Sequence, residues 1–87
     1  SRKTEIDPDN YRVFLNSLKT LTPTEQLVFE HYLGGKSAKE IMAILDIKET
    51  TLKYHNRNIY DKLSVSSRKE LLRYAALMRQ EKEDGKK

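Results

Sequence analysis

This sequence predicts an all-α fold: a four-helix bundle built around a helix-turn-helix, with an additional N-terminal helix. Three observations predict it. No stretch alternates apolar and polar residues as a half-buried strand does. Helix start signals recur at Asp7-Pro8, Thr22 to Glu25, Ser37 to Glu40 and Ser67 to Glu70. Apolar residues at helical spacing follow each of them.

Residues 1–6 have no periodicity and read as a linker. Asp7 can cap a helix that Pro8 opens, and Tyr11, Phe14, Leu15 and Leu18 form its one-sided apolar stripe, predicting a helix over about 8–19. Residues 1–20 therefore form an N-terminal linker and helix. The next start, Thr22-Pro23-Thr24-Glu25, is a capping box: the Thr22 hydroxyl accepts from the amide three residues on, and Glu25 reaches back. Val28, Phe29 and Tyr32 face the core from this helix, and Gly34-Gly35 supplies the positive φ that ends it. Ser37 and Glu40 make a second box before a helix of about two turns, with Ile41, Ile44 and Leu45 on its apolar side. It stops near Asp46-Ile47.

The fourth helix, about 49–63, has two faces. Leu52, His55, Ile59 and Leu63 recur at spacings of 3, 4 and 4, the pattern of a buried stripe. Nearly opposite lie Thr50, Lys53, Tyr54 and Arg57, with Asp61 as the patch's only acid at its far end. Lys48 stands where a capping side chain belongs, so this start is expected to stay loose until a partner docks. A third capping box, Ser67 to Glu70, opens a last helix over about 68–80, and residues 81–87 are a polar tail expected to fray. Leu71, Leu72, Tyr74, Ala75, Ala76, Leu77 and Met78 leave that helix apolar almost all round, more than one core needs. Leu71 and Ala75 are assigned to the core, Leu72 and Ala76 to a contact with a second copy. The competing use of that surface is contact with the N-terminal helix.

With 87 residues the chain makes one small domain. Charged residues are 34% of it and no apolar run approaches the roughly 18 residues of a membrane span, so no membrane contact is expected. No secretory signal is recognisable, and the absence of cysteine excludes disulfides and fits a reducing cytoplasm. Residues 31–74 carry nine basic and five acidic side chains, a net +4, against −1 for residues 1–30 and +1 for residues 75–87. A basic centre implies a polyanionic partner, and nucleic acid is the usual one. His31 has no partner at metal-ligand spacing and His55 falls in the apolar stripe. No nucleophile triad, phosphate loop or carboxylate pair is evident, so neither an enzyme nor a cofactor is expected.

The segments LTPTEQLVF, GGKSAKEIMAIL, DIKETTLKYHNRNIYDKL and VSSRKELLRYA, in this order and spacing, resemble the LuxR/NarL-type helix-turn-helix domain over residues 21–77. The resemblance implies that residues 21–80 are the sequence-specific, double-stranded-DNA-binding output domain of a bacterial transcription regulator. Its third helix would enter the major groove and its fourth would carry a dimer contact, matching an inverted-repeat operator; RNA polymerase is a further partner the resemblance suggests. Carried over residue by residue, Lys53, Tyr54 and Arg57 stand where the family's recognition helix meets bases and phosphates. Thr51 matches a threonine near that helix's start, and Lys39 a polar position that meets the backbone; Thr50 and Lys48 flank the same surface. Arg57 has the chemistry to read guanine O6/N7 bidentately, Lys53 to do so or hold a phosphate, and Tyr54 to touch a thymine methyl.

Two residues depart from the family pattern: Lys48 in place of the usual serine, and Met42 in place of a small residue, which puts the docking angle in question. Two other readings stay open, a sigma-factor C-terminal-like promoter-binding domain and a helical protein-interaction module without DNA binding.

Overall fold

A computed structural model describes residues 6–85. Among them are five α-helices and no strand: α1 (Pro8–Ser17), α2 (Pro23–Leu33), α3 (Ala38–Leu45), α4 (Glu49–Leu63) and α5 (Arg68–Asp84), with a 3₁₀ turn at Leu18–Thr20 after α1. The all-α bundle with its extra N-terminal helix is therefore the fold. The linker assignment falls almost wholly on residues 1–5, outside the described residues, as do residues 86–87 of the tail.

The helix starts follow the local sequence. Asp7 accepts from the Asp9 and Asn10 amides, and Pro8 opens α1. Both halves of the capping box form at Thr22/Glu25 and at Ser37/Glu40. The third box does not close. The Ser67 hydroxyl accepts from the Glu70 amide, but the Glu70 carboxylate takes the Ser66 amide and hydroxyl at 2.7 and 2.8 Å instead. Ser66 gives the carboxylate two bonds, from its amide and its hydroxyl, where the closed box would give one, from the Ser67 amide. Gly35, at φ +87, ends α2, with Lys36 N–H donating to the His31 carbonyl and Gly35 N–H to that of Tyr32. Asp46 and Ser64 end α3 and α4 in the same left-handed conformation without glycine.

Every helix contributes to one core. Phe14, Val28, Phe29, Tyr32, Ile41, Leu52, Ile59, Leu63, Val65 and Leu71 are buried together with Tyr74. Leu71 and Ala75 are fully buried, as their spacing predicted. Phe14 stacks on Tyr74 at 4.3 Å, and Tyr11 lies parallel to the same ring at 6.3 Å. So α1 takes up part of the apolar excess of α5. The last helix runs four residues beyond its predicted end because Glu81, Lys82 and Glu83 favour helix and the Tyr11 hydroxyl donates to Glu81 Oε1 at 2.8 Å. Burial followed by that carboxylate pushes the Tyr11 phenol up to about 12.

Two apolar assignments need correction. Ile44 is 50% exposed, because the buried arc of α3 runs through Ala38, Ile41, Met42 and Leu45 rather than through Ile41, Ile44 and Leu45. Met42 therefore joins the core edge. Leu15 lies at the rim of the α1 stripe and is exposed. Among the described residues no helix is long and apolar enough to cross a membrane.

Candidate nucleic-acid interface

Three residues join α3 to α4. In that connection Ile47 N–H donates to the Met42 carbonyl at 3.0 Å, and Lys48, in extended conformation, precedes Glu49. The short connection fixes α4 across α3 as a helix-turn-helix requires. Leu52, Ile59 and Leu63 lock one side of α4 into the core. His55 was placed in that stripe but is only half-buried, its ring edge-on to Tyr54 at 5.8 Å. It lies about 60° around the helix from Leu52, at the margin of the buried arc.

The end of α4 has a second anchor that spacing along the chain does not reveal. Glu25 is buried, accepts Thr22 N–H at 2.9 Å and accepts Lys62 Nζ at 2.6 Å. Burial works against its charge most strongly. The Lys62 and Thr22 bonds together outweigh it and hold the carboxyl below the usual range. One carboxylate thus closes the α2 capping box and ties α2 to the last turn of α4.

On the outward side, Thr50, Lys53, Tyr54 and Arg57 are exposed and border a single shallow depression. Tyr54 is 63% exposed, a large ring with no core role. Thr51, Lys48 and Lys39 are exposed as well but do not border that depression. The structure gathers four of the predicted residues and leaves these three around them. Lys48 makes no side-chain cap, as its residue type predicted. Asp61 is not the patch's only acid: Glu49 reaches Lys53 Nζ at 3.8 Å across one helical turn, with both side chains mostly in water. At that exposure the pair is worth a few tenths of a kcal/mol.

A second groove adjoins the first and shares Lys53 and Arg57 with it; Asn56, Tyr60, Asp61, Val65 and Ser66 complete its lining. Reading the sequence by opposite faces missed Asn56 and Tyr60, which lie between the two. One signal pointed there: a tyrosine at a core position needs a hydroxyl partner, and Tyr32 finds Asn56 Oδ1 at 2.9 Å. Burial raises the phenols of both Tyr32 and Tyr60. Of the two predicted dimer residues on α5, Leu72 packs partly against the core and Ala76 is exposed.

An outward face of two cations, a phenol and a hydroxyl, carried on a helix pinned from behind, suits the acceptor-rich surface of a nucleic acid. Residues 19–75 match the family described as bacterial regulatory proteins, luxR family. Over 57 residues, 66% of this chain, the sequence is 40% identical to the response regulator protein TmoT of Ectopseudomonas mendocina. The chain spans 26% of that relative's length. No solved structure matches the chain.

Proposed function

Because the chain belongs to the luxR family of bacterial regulatory proteins, we propose that it binds double-stranded DNA sequence-specifically, as a regulator's output domain, with α4 in the major groove. The observation that carries the reading is the joint exposure of Thr50, Lys53, Tyr54 and Arg57 on the face of α4 opposite Leu52, Ile59 and Leu63. In this reading Arg57 and Lys53 take base edges or phosphates, Tyr54 touches a base, and Thr50 donates a hydroxyl. Thr51, Lys48 and Lys39 lie outside the central depression and are assigned to the flanking backbone.

The proposal extends to a homodimer through α5. Since α1 occupies the Tyr74 side, the free contact is narrower than the whole apolar helix: Ala76 with the uncovered part of Leu72. A symmetric pair would present two copies of α4 to an inverted repeat. Sedimentation of the protein with a palindromic duplex tests this, and a one-to-one complex overturns it.

Selection from a random duplex library, followed by affinity measurement across salt concentrations, tests the main reading. The double variant Lys53→Ala/Arg57→Ala is expected to bind about 100-fold more weakly and to flatten the salt slope by about one per lost phosphate contact. Binding without salt dependence, or a double variant that binds like the parent, overturns it.

A further inference from the structure

Asn56 is unlike the other residues around the α4 face, because its side chain is oriented from inside the core. Tyr32 is fully buried, and its hydroxyl donates to Asn56 Oδ1 at 2.9 Å. The Tyr32 bond engages the amide oxygen and leaves Nδ2 as the donor arm of the side chain. Asn56 is half-exposed and borders the groove it shares with Lys53, Arg57 and Tyr60. A cation stands over the same tyrosine: the Arg68 guanidinium lies 5.8 Å from the Tyr32 ring centroid. Its charge is felt by both Tyr32 and Tyr60. An amide donor, two phenols and a guanidinium thus meet on one flank of α4.

The position on that flank decides what the donor would meet. Asn56 lies 100° around the helix from Arg57, toward the core side. When a helix enters a groove its outermost side chains reach base edges, while its flanks face the sugar–phosphate walls. We infer that Asn56 is a further DNA-binding residue, its Nδ2 donating to a backbone phosphate at the edge of the groove, with Tyr32 as its positioning residue and Arg68 as the accompanying charge. This inference rests on the proposed duplex binding by α4. Tyr32 contributes by fixing the amide; it touches no DNA itself.

The test uses the duplex recovered by selection, with thermal melts to verify folding of each variant. Asn56→Ala loses one hydrogen bond to a charged acceptor, so affinity drops about tenfold. The salt slope stays unchanged, since a neutral amide displaces no counterion. The loss is equal across selected sequences, because a phosphate carries no base identity. Asn56→Asp keeps the acceptor for Tyr32 but turns a negative charge toward the phosphate, and loses about 100-fold. Arg68→Ala flattens the salt slope by about one.

Tyr32→Phe lowers affinity about threefold in the parent but has no further effect in Asn56→Ala, a coupling that a merely structural tyrosine would not show. If Asn56→Ala does not fold, Asn56→Asp decides by the same comparison. The inference is overturned if Asn56→Ala binds within twofold of the parent, or if Tyr32→Phe costs the same with and without Asn56. Should Lys53→Ala/Arg57→Ala abolish binding while Asn56→Ala is silent, the recognition face stands and the inference alone falls. No salt-dependent duplex binding by the parent overturns both.

Discussion

The two ends of α4 are built on opposite principles. Its last two turns bury Ile59 and Leu63, tie Lys62 to the buried Glu25, and end in a left-handed turn at Ser64, from which Val65 N–H bonds back to the Tyr60 carbonyl. Its start exposes Lys48, Glu49, Thr50 and Thr51 together, with no side chain accepting the free amides of the first turn. A helix held at its far end and open at its near end delivers rigid orientation and an adaptable surface at once. Of the residues proposed to meet DNA, Lys48, Thr50 and Thr51 lie at this uncapped end, while Lys53, Tyr54 and Arg57 follow within the next two turns.

The largest expected contrast is in stability. Ile59→Ala removes a fully buried side chain and should cost about 3 kcal/mol in urea unfolding. Thr51→Ala, one turn into the open end, should stay within about 0.5 kcal/mol. Comparable costs at the two positions would mean that the start of α4 is packed after all, and the comparison would break.

Glu25→Gln probes the anchor's charge. Gln retains an oxygen for Thr22 and Lys62 but loses the charge, so a cost of about 1–2 kcal/mol at neutral pH is expected. Because folding holds this carboxyl below the ordinary glutamate range, its contribution is full above that range and is lost as pH falls from there through the lower value of the folded carboxyl. The gap between parent and variant should therefore close on acidification. Glu40 and Glu70, both held below the same ordinary range by bonds from the Ser37 and Ser66 backbone amides, leave the variant some acid sensitivity of its own. A gap that stays constant throughout acidification, to the onset of acid unfolding, would locate the effect in packing rather than in the ion pair.

What could be read from the chain divides along the same line. Capping boxes at Thr22 and Ser37 and the missing cap at Lys48 were legible because each depends on residues three apart. The outward set Thr50, Lys53, Tyr54 and Arg57 was legible because helical periodicity alone separates it from Leu52 and Ile59. The Glu25–Lys62 pair and the Tyr32–Asn56 bond join residues 37 and 24 apart in sequence, and periodicity carries no information on which helices meet. Glu70 shows the limit even of local rules, since its carboxylate takes the amide and hydroxyl of the neighbouring Ser66 instead of the Ser67 amide. His55 and Ile44 were misplaced for a geometric reason: a stripe read at 100° per residue has margins, and only packing decides which margin is covered.

Lys48→Ser would remove the asymmetry by giving α4 a cap. Serine there can accept from the Thr51 amide, stabilising the fold by about 1 kcal/mol. Hydrogen exchange at Thr50 and Thr51 should slow in the free protein. If Lys48 also faces a phosphate, the DNA salt slope flattens by about one in the same variant. Unchanged exchange would mean that the first turn is already closed without a cap.

The smallest effect is the most discriminating. Glu49 sits in the first turn of α4, where its charge favours the helix dipole, and it also draws Lys53 to 3.8 Å. Glu49→Gln should therefore lower stability by a few tenths of a kcal/mol. DNA affinity should move the other way, rising about threefold at low salt, because the variant frees Lys53 and removes a negative charge from beside the phosphates. Raising the salt should erase the gain, since both groups are exposed and screened. A loss of affinity instead would mean that Glu49 orients Lys53 for its contact. The open end of α4 would then be organised by an ion pair where the closed end is organised by the core.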